Sequence, residues 1–219
     1  MDPSPAEQHR TGAGRALRPE DGTADERILD PDPFVQFGRW YARAAEEVDA
    51  PEAMALATAD AGGRPSARMV LLKSWDADGF VFFTNYDGRK SHDLTANPEA
   101  ALLFYWEPLG RQVRIEGAVA RTSAEESDAY YATRDLASRI GAHASHQSRP
   151  VADRAALDER VARVAAGFAE GEVPRPEWWG GWRVVPRAVE FWQQGAARLH
   201  DRVRYEATAD GWTATRLQP

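Results

Sequence analysis

Short apolar runs separated by turn residues dominate the chain from about residue 53 onward. Runs of this length, rich in β-branched and aromatic residues, are typical of strands rather than helices. They end at turns such as DAGGRP, DADG and EPLG, where glycine, proline and aspartate interrupt regular structure. The pattern predicts strands over residues 53–59, 67–72, 80–84, 100–105, 112–121, 182–185, 188–192, 203–207 and 212–217.

Four other segments have helical spacing or helix-start signals. In the first, Asp32 suits the N-cap position and Pro33 the first helical position, and Phe37 and Trp40 then follow at helical intervals. The remaining helices are predicted over about residues 89–96, 123–133 and 152–168, with Asn97-Pro98 ending the second. Residues 134–150 and the segment VPRPEWWGG are predicted to be connections without regular structure.

Many short antiparallel strands with a few helices predict a mainly β fold of the α+β class, built as a closed or split β-barrel. Residues 1–28 contain proline, glycine, alanine and charged residues with almost no large apolar side chains. Such a composition does not offset the entropy of ordering and predicts a flexible N-terminal arm. We expect residues 29–219 to form a single domain.

Composition excludes several classes of protein. The 219 residues include 27 basic and 34 acidic side chains, and the net charge of −7 argues against a general nucleic-acid binder. There is no cysteine, which excludes disulfides, thiolate metal ligands and cysteine nucleophiles, and we expect no metal site. No apolar run is long enough to span a membrane and no signal peptide is visible, so we expect a cytoplasmic protein without a membrane partner.

Two strand-like segments concentrate cations, amides and aromatic rings: RQVRIEG at 111–117 and FWQQGAARLHDR at 191–202. In the second, a period of two places Arg198, His200 and Arg202 on one face. Neighbouring cations repel one another unless an anion lies between them, so we expect a negative, planar ligand such as a phosphorylated aromatic cofactor. The polar positions concerned are Arg111, Gln112, Arg114, Trp192, Arg198, His200 and Arg202.

Two further groups of residues predict phosphate sites. Arg89 and Lys90 stand at a helix start, where free N–H groups already favour an anion and cations are unfavourable without one. Tyr130, Arg134 and Ser138 recur at intervals of four and can together donate several hydrogen bonds to a phosphate.

In order and spacing, these segments resemble the pyridoxamine/pyridoxine 5′-phosphate oxidase family of FMN-dependent flavoproteins. The resemblance extends over roughly residues 34 to 219. It implies an antiparallel split β-barrel with peripheral helices, working as a homodimer with FMN in clefts to which both subunits contribute. The matching stretches are RMVLLK, GFVFFTNYDGRKSHDL, NPEAALLFYW, RQVRIEG, QS, VPRPEWWGGWRV, EFWQ, RLHDR and RLQP.

The resemblance also implies a role for individual residues. Arg198 and His200 are the expected catalytic residues, lying over the pyridine ring of the substrate. Phe83 stands where the family often has tyrosine, and we expect its contact to be through the backbone. The expected FMN-binding residues are Arg68, Met69, Val70, Leu71, Leu72, Lys73, Phe83, Thr84, Arg89, Lys90, Gln112, Gln147, Ser148, Trp192 and Arg202. The expected substrate-binding residues are Lys73, Tyr130, Arg134, Ser138, Arg198, Leu199 and His200.

The activity implied is oxidation of pyridoxamine or pyridoxine 5′-phosphate to pyridoxal 5′-phosphate, with hydride transfer to FMN and reduction of O2 to H2O2. The chain departs from the family at Arg139 and His143, in SRIGAH where SQIGAW is usual, and at Gln194, where a glycine is usual. The arginine pair of the family's N-terminal arm is only faintly visible, around Arg15 to Arg18.

Two alternatives stay open. The first is a paralogous flavin oxidase acting on a reduced aromatic secondary metabolite, such as a dihydrophenazine-like precursor. The second is a split-barrel module that binds flavin or haem without turnover. A substrate without a phosphate gives no reason to keep the phosphate-binding set together, so its presence favours the vitamin B6 oxidase. That set is Lys73, Tyr130, Arg134 and Ser138.

Overall fold

The computed structural model describes residues 29–168 and 172–219, so the predicted arm, with the segment around Arg15 to Arg18, lies outside the described residues. Five helices occur in the described ranges: α1 (Pro33–Glu47), α2 (Arg89–Ala96), α3 (Ala124–Ala132), α4 (Leu136–Ala144) and α5 (Arg154–Gly167). The strands are β1 (Ala53–Ala59), β2 (Pro65–Leu71), β3 (Ser74–Asp76), β4 (Gly79–Asn85), β5 (Glu99–Trp106), β6 (Arg111–Arg121), β7 (Trp179–Gln193), β8 (Asp201–Thr208) and β9 (Gly211–Leu217).

All nine strands join one antiparallel sheet that curls back on itself. Its main path runs β2-β1-β5-β6-β7-β4-β3, with β8 and β9 added beside β7. The two ends of that path are consecutive in the chain, and the N–H of Lys73, just after β2, donates to the carbonyl oxygen of Val81 in β4 at 2.9 Å. The sheet is therefore bent until its ends meet. This confirms the predicted antiparallel split β-barrel with peripheral helices.

The longest strand, β7, connects the two parts of the sheet. It pairs with β6 over Trp182–Gln193, with β4 over Trp179–Val184 and with β8 over Ala188–Gln193. The prediction of two separate strands here was wrong. Pro186 lies between the part of β7 that pairs with β4 and the part that pairs with β8. On its other side it faces a bulge at Glu116/Gly117 of β6. Few ladder hydrogen bonds are needed at this point, so a proline is tolerated.

Helix α1 closes the barrel with aromatic side chains. Asp32 accepts a hydrogen bond from the N–H of Phe34 at 2.8 Å, and Pro33 occupies the first turn, as predicted. Phe37 is fully buried, and its ring lies 5.0 Å from that of Phe80 and 5.2 Å from that of Phe104. The core therefore depends on edge-to-face and tilted ring contacts inside the barrel.

Two further predictions need correction. Residues 134–150, predicted as a loop, contain α4, which starts where Asp135 accepts hydrogen bonds from the N–H and the hydroxyl of Ser138. Its small residues hide the apolar periodicity that identifies longer helices. The three-residue strand β3 was not predicted. Helix α5 was predicted, but none of its residues is fully buried, so its apolar stripe is only half covered.

No helix in the described ranges is long and apolar enough to cross a membrane.

We predict that Phe37→Ala lowers the free energy of unfolding by about 3–5 kcal/mol, because it leaves a cavity among packed rings. Denaturant unfolding monitored by tryptophan fluorescence measures this loss. Val35→Ala on the same helix is the matched control, since Val35 is 45% exposed and should cost less than about 1 kcal/mol. Equal losses for the two variants would contradict the assigned core.

Candidate functional site

A cavity of about 700 Å³ opens where β2, β4, α3 and α4 meet. Cationic, hydroxyl and aromatic side chains line it, and many of them are predicted site residues. The predicted site residues that line the cavity are Met69, Val70, Leu71, Lys73, Phe83, Thr84, Lys90, Tyr130, Arg134, Ser138 and Gln147. Asn85, Thr133, Asp135, Gly141, Ala142, Ser145 and Trp179 complete it.

Three predicted cofactor residues form a hydrogen-bonded cluster in this cavity. The ammonium group of Lys90 donates to the hydroxyl of Thr84 at 3.1 Å and to Oε1 of Gln147 at 2.6 Å. The Thr84 hydroxyl also donates to that amide oxygen, at 3.2 Å. Burial, followed by the nearby positive charge of Arg68, lowers the pKa of Lys90. A phosphate beside Lys90 would offset this unfavourable burial of charge.

The start of α2 has the features of an anion site. Its N-cap, Gly88, offers no side-chain cap, and the N–H of Arg89 donates to the hydroxyl of Ser148 at 3.2 Å. A Cβ on Gly88 would lie 2.5 Å from Oε1 of Gln147, so glycine lets this loop approach the helix closely. The predicted Gln147-Ser148 pair therefore covers the α2 N-terminus, where the helix dipole favours negative charge.

Two residues of the RMVLLK segment do not line the cavity. Arg68 is half-buried and donates to the hydroxyls of Thr58 and Ser66, each at 2.7 Å, while Asp93 lies 3.7 Å away. Burial lowers the pKa of Arg68, and Asp93 opposes that effect. The side chain of Leu72 is in the hydrophobic core. Arg68 is thus held behind the cavity wall by neutral hydroxyls and one carboxylate.

The predicted phosphate-binding residues converge at the junction of α3 and α4. Arg134 lies between the two helices, with its Cζ 4.7 Å from the centre of the Trp179 ring. Its Nη1 is buried and has no hydrogen-bond partner. A buried N–H without a partner is costly, and a bound anion would satisfy it. Ser138 donates its hydroxyl to Asp135 at 2.8 Å, which fixes the rim beside Arg134.

Aromatic rings form one wall of the cavity. The Phe83 ring stacks on that of Tyr130 with centroids 4.1 Å apart and on that of Trp179 at 5.4 Å. We expected Phe83 to contact FMN through its backbone alone, whereas the Phe83 side chain also lines the cavity. Gly181, opposite Phe83 on β7, leaves room for that ring, since a Cβ there would lie 2.8 Å from it.

The remaining predicted residues lie elsewhere, near the end of β7. Gln112, Trp192 and Arg202 are direct cross-strand neighbours on β6, β7 and β8, so they share one face of the sheet. Residues Val113, Phe191 and Val203 point to the opposite face and are fully buried. The predicted cofactor residues thus form two groups, one at the cavity and one along this row.

The prediction that Arg198, His200 and Arg202 share one strand face was wrong for the first two residues. Strand β8 begins at Asp201, and Arg198 ends a short 3-10 turn with φ of 64°. Gly195 causes the turn, because its backbone packs against the carbonyl of Leu199 and leaves no space for a Cβ. The exposed Leu199 follows Arg198 at the tip.

His200 has a defined tautomer. Its Nδ1 accepts a hydrogen bond from the N–H of Gly195 at 3.2 Å, so the ring proton of the neutral form lies on Nε2. The ring also lies 4.6 Å from that of Trp192, next to the row described above. His200 can therefore offer an Nε2–H donor beside Trp192.

Glu190 supplies the negative charge that the sequence interpretation assigned to a ligand. It is 2% exposed and lies 2.5 Å from Arg114 and 2.8 Å from Arg202. Arg111 is buried against Trp40 and donates to the Gln193 amide at 2.9 Å. For Arg114, the expectation that a bound anion explains its position was therefore wrong, because two carboxylates of the same chain pair with it.

The two groups occupy opposite ends of β7. Trp179, at the start of the strand, lines the cavity, whereas Trp192 lies thirteen residues further along. At about 3.3 Å per residue the path along the strand between them is roughly 40 Å, so the two groups lie far apart along β7. None of Gln112, Trp192, Arg198, Leu199, His200 or Arg202 lines the cavity.

Several site residues were not predicted. Trp179 was read as part of a connector, although its place in a WWGG segment with two small residues could have indicated a ring packed at a strand start. Glu190 precedes the aromatic pair Phe191-Trp192, but nothing local shows that it pairs with cations on two other strands. Asn85 and Asp135 gave no signal beyond their turn-forming residue types.

The curled antiparallel sheet with peripheral helices and a cation-lined cavity places the chain among the split β-barrel proteins. The family model described as pyridoxamine 5′-phosphate oxidase matches residues 42–166, and the one described as pyridoxine 5′-phosphate oxidase C-terminal dimerisation region matches residues 179–219. The chain belongs to the pyridoxamine 5′-phosphate oxidase family, and it is an oxidoreductase.

Relatives and solved structures agree with this assignment. The chain is 56% identical to the pyridoxine/pyridoxamine 5′-phosphate oxidase of Burkholderia vietnamiensis, over 89% of this chain and 92% of that protein. It is 54% identical to the enzyme of the same name from Rubrobacter xylanophilus, over 94% and 92%. The crystal structure of PhzG from Burkholderia lata 383, in complex with tetrahydrophenazine-1-carboxylic acid, has a TM-score of 0.84 at 35% identity, covering 95% of this chain and 100% of that one.

We predict that the stability of Lys90→Met relative to the wild type is greater at pH 8 than near pH 10, and that it falls as the pH rises toward 10.5, the ordinary pKa of lysine. The folded state lowers the pKa of Lys90, so it destabilises the protonated form. That penalty is present below the folded pKa and disappears once the lysine is deprotonated in both states. Denaturant unfolding of the two proteins without phosphate, at pH 8 and near pH 10, measures the difference. A difference that is constant or grows with pH would refute the assignment.

Proposed function

We propose that this chain is an FMN-dependent oxidase that converts pyridoxamine or pyridoxine 5′-phosphate to pyridoxal 5′-phosphate, with O2 reduced to H2O2. One observation supports this most strongly: a single cavity presents two separate groups suited to phosphate. One is Lys90 with Thr84 and Gln147 at the start of α2, and the other is Tyr130, Arg134 and Ser138 between α3 and α4. A phosphorylated cofactor and a phosphorylated substrate would require two such groups side by side.

The first group fits the phosphate of FMN. Lys90 donates only to the neutral oxygens of Thr84 and Gln147 among the contacts described, and the adjacent helix start has no side-chain cap. Both features leave positive potential for a dianion. We propose that Arg89 and Lys90 hold this phosphate, with residues 68–73 along the flavin. When bound, FMN would accept the hydride from the substrate and pass the electrons to O2.

The second group fits the phosphate of the substrate. Arg134 has a buried N–H without a partner, Tyr130 carries a hydroxyl, and Lys73 is an exposed cation on the cavity rim. Anchoring the phosphate there would fix the position of the pyridine ring relative to the cofactor. Such orientation removes much of the entropic cost of the reaction.

We propose that the second copy of the chain completes each site. Arg198 and His200 follow the end of β7 and do not line the cavity of their own chain. Together with Trp192 and Arg202 they fall within the matched dimerisation region, residues 179–219. Apolar side chains are exposed in both groups, with Met69 at 64% and Leu199 at 72%. In a homodimer the end of β7 from one copy would cover the cavity of the other, and residues 29–219 would act as one FMN-binding domain.

In this arrangement Arg198 would lie over the substrate ring and stabilise developing charge. His200, with its proton on Nε2, would donate to an acceptor on the substrate. Gln112, Trp192 and Arg202 would contact the flavin from the second copy. Glu190 would hold Arg202 in place through its ion pair.

A second candidate is oxidation of a reduced phenazine precursor. It is favoured by the similarity to PhzG, whose structure contains tetrahydrophenazine-1-carboxylic acid. That ligand has a carboxylate but no phosphate. The vitamin B6 oxidase is the better supported function, because the chain combines both phosphate-binding groups and shares 54–56% identity with enzymes named for the 5′-phosphates.

The test is an aerobic assay of the FMN-loaded protein with three substrates: pyridoxine 5′-phosphate, pyridoxamine 5′-phosphate and tetrahydrophenazine-1-carboxylic acid. Aldehyde absorbance and H2O2 are both measured. We expect pyridoxal 5′-phosphate and peroxide in equal amounts from the first two substrates. Turnover of the phenazine compound alone would favour the second candidate, and bound FMN without any turnover would indicate a binding module.

We predict that Arg134→Ala raises KM for pyridoxine 5′-phosphate about 10- to 100-fold, because a charge-assisted hydrogen bond contributes roughly 1.5–3 kcal/mol. The dissociation constant of FMN should stay within about twofold. Steady-state kinetics and flavin fluorescence titration measure the two quantities. Arg154→Ala, which removes a solvent-exposed guanidinium on α5, is the matched control and should change neither. An unaltered KM in Arg134→Ala would contradict the phosphate role.

A further inference from the structure

The indole of Trp179 contacts several residues of the proposed substrate-phosphate site, although no role in binding has been assigned to it. It is 6% exposed and starts β7, where its Cα pairs with that of Asn85. The Phe83 ring stacks on it at 5.4 Å with an interplanar angle of 11°, and the Tyr131 ring meets it edge-on at 5.1 Å. The guanidinium of Arg134 lies over it at 4.7 Å.

Both phosphate-binding side chains depend on this arrangement. Tyr130 is stacked on Phe83 at 4.1 Å, and Phe83 is in turn stacked on Trp179, so the three rings are nearly parallel. Arg134 rests directly on Trp179. Its side chain makes no hydrogen bond through the buried Nη1, so the aromatic face takes the place of a polar partner in holding it.

An aromatic support suits an anion-binding arginine better than a carboxylate would. A carboxylate paired with Arg134 would compete with the phosphate, as Glu190 pairs with Arg114 and Arg202. The neighbouring carboxylate of Asp135 instead accepts hydrogen bonds from the N–H and the hydroxyl of Ser138. An indole ring attracts the guanidinium but leaves its N–H groups directed at the ligand. The orientation of Arg134 can thus be set before the substrate arrives, which lowers the entropic cost of binding.

We propose that Trp179 is a positioning residue for substrate-phosphate binding, acting on Arg134 through its ring face and on Tyr130 through Phe83. This inference rests on the proposed function. It adds a residue that contacts no reacting atom yet determines how tightly the phosphorylated substrate is held. The Lys90, Thr84 and Gln147 contacts assigned to the FMN phosphate do not involve Trp179, so we expect FMN affinity to be maintained.

The test is a double-mutant cycle of Trp179→Leu and Arg134→Ala in the FMN-loaded enzyme. Trp179→Leu should raise KM for pyridoxine 5′-phosphate about tenfold, since a desolvated cation–π contact of this kind is lost. We expect kcat within about threefold of the wild type and an unchanged dissociation constant of FMN. In the Arg134→Ala background the same substitution should raise KM less than about threefold, because the two residues act as a unit.

Three comparisons separate positioning from general packing. Trp178→Leu makes the same chemical change one residue earlier, on a side chain that is 40% exposed and does not line the cavity, and it should leave KM unchanged. Trp179→Phe keeps an aromatic face and should restore most of the lost affinity, which keeps the test valid if Trp179→Leu does not fold. Thermal unfolding of each FMN-loaded variant shows whether the fold is intact.

The proposal is overturned if KM is unchanged in both Trp179 variants, if the increases in KM simply multiply in the double variant, or if FMN affinity falls in parallel with KM. The same double-mutant cycle can be measured without turnover, from the dissociation constants of pyridoxal 5′-phosphate obtained by calorimetry. Wild-type protein that binds this compound but oxidises neither 5′-phosphate would refute the proposed function alone. Wild-type protein that does not bind it would refute the role of Trp179 as well.

Discussion

The length of β7 is the constraint on which the rest of the structure depends. One continuous strand pairs with β6 from Trp182 onward, with β4 at its start and with β8 at its end, so it holds both parts of the curled sheet together. Trp179 at one end belongs to the cavity, and Trp192 at the other belongs to the row of Gln112 and Arg202. Because a strand is stiff and extended, the chain cannot fold these ends together. This separation supports the proposal that a site using both groups is built from two copies.

Buried charges have different kinds of partner at the two ends of β7. Near Trp192, the buried carboxylate of Glu190 pairs with Arg114 and Arg202, and Glu116 pairs with Arg114 as well, so both arginines have acidic partners within one chain. In the cavity, Lys90 contacts neutral oxygens and Arg134 rests on an indole ring. Positive potential is therefore left available in the cavity, where two phosphates are proposed to bind. This unpaired positive charge lowers the stability of the free protein, and binding of an anionic ligand raises it again.

Local sequence signals predicted the parts of the site that are local in structure. Arg89 and Lys90 follow a turn and start a helix, and both positions could be inferred from helix-start chemistry alone. The face shared by Arg68 and Val70 on β2 follows from the two-residue period of a strand. The composition of two strand-like segments singled out Gln112, Trp192 and Arg202, but their alignment in one cross-strand row was not predicted, since strand register is set by the whole sheet.

The errors arose where distant contacts override local pattern. Arg198 and His200 leave the strand because Gly195 packs against the carbonyl of Leu199, a contact that no periodicity reveals. Helix α4 is short and rich in small residues, and its start at Asp135 gives little signal in sequence. Glu190 meets its two arginines only after β6, β7 and β8 have paired. Each of these features is decided by tertiary structure rather than by propensity.

The most direct test of the shared site is complementation between two inactive chains. Arg134→Ala removes a cavity residue and Arg198→Ala a residue from the far end of β7, so a mixed dimer contains one site with both arginines and one with neither. After subunit exchange at equal concentrations, half of the dimers are mixed, and we expect about a quarter of the wild-type activity at low substrate concentration. Activity no higher than the mean of the two separate variants would show that each site is built from a single chain.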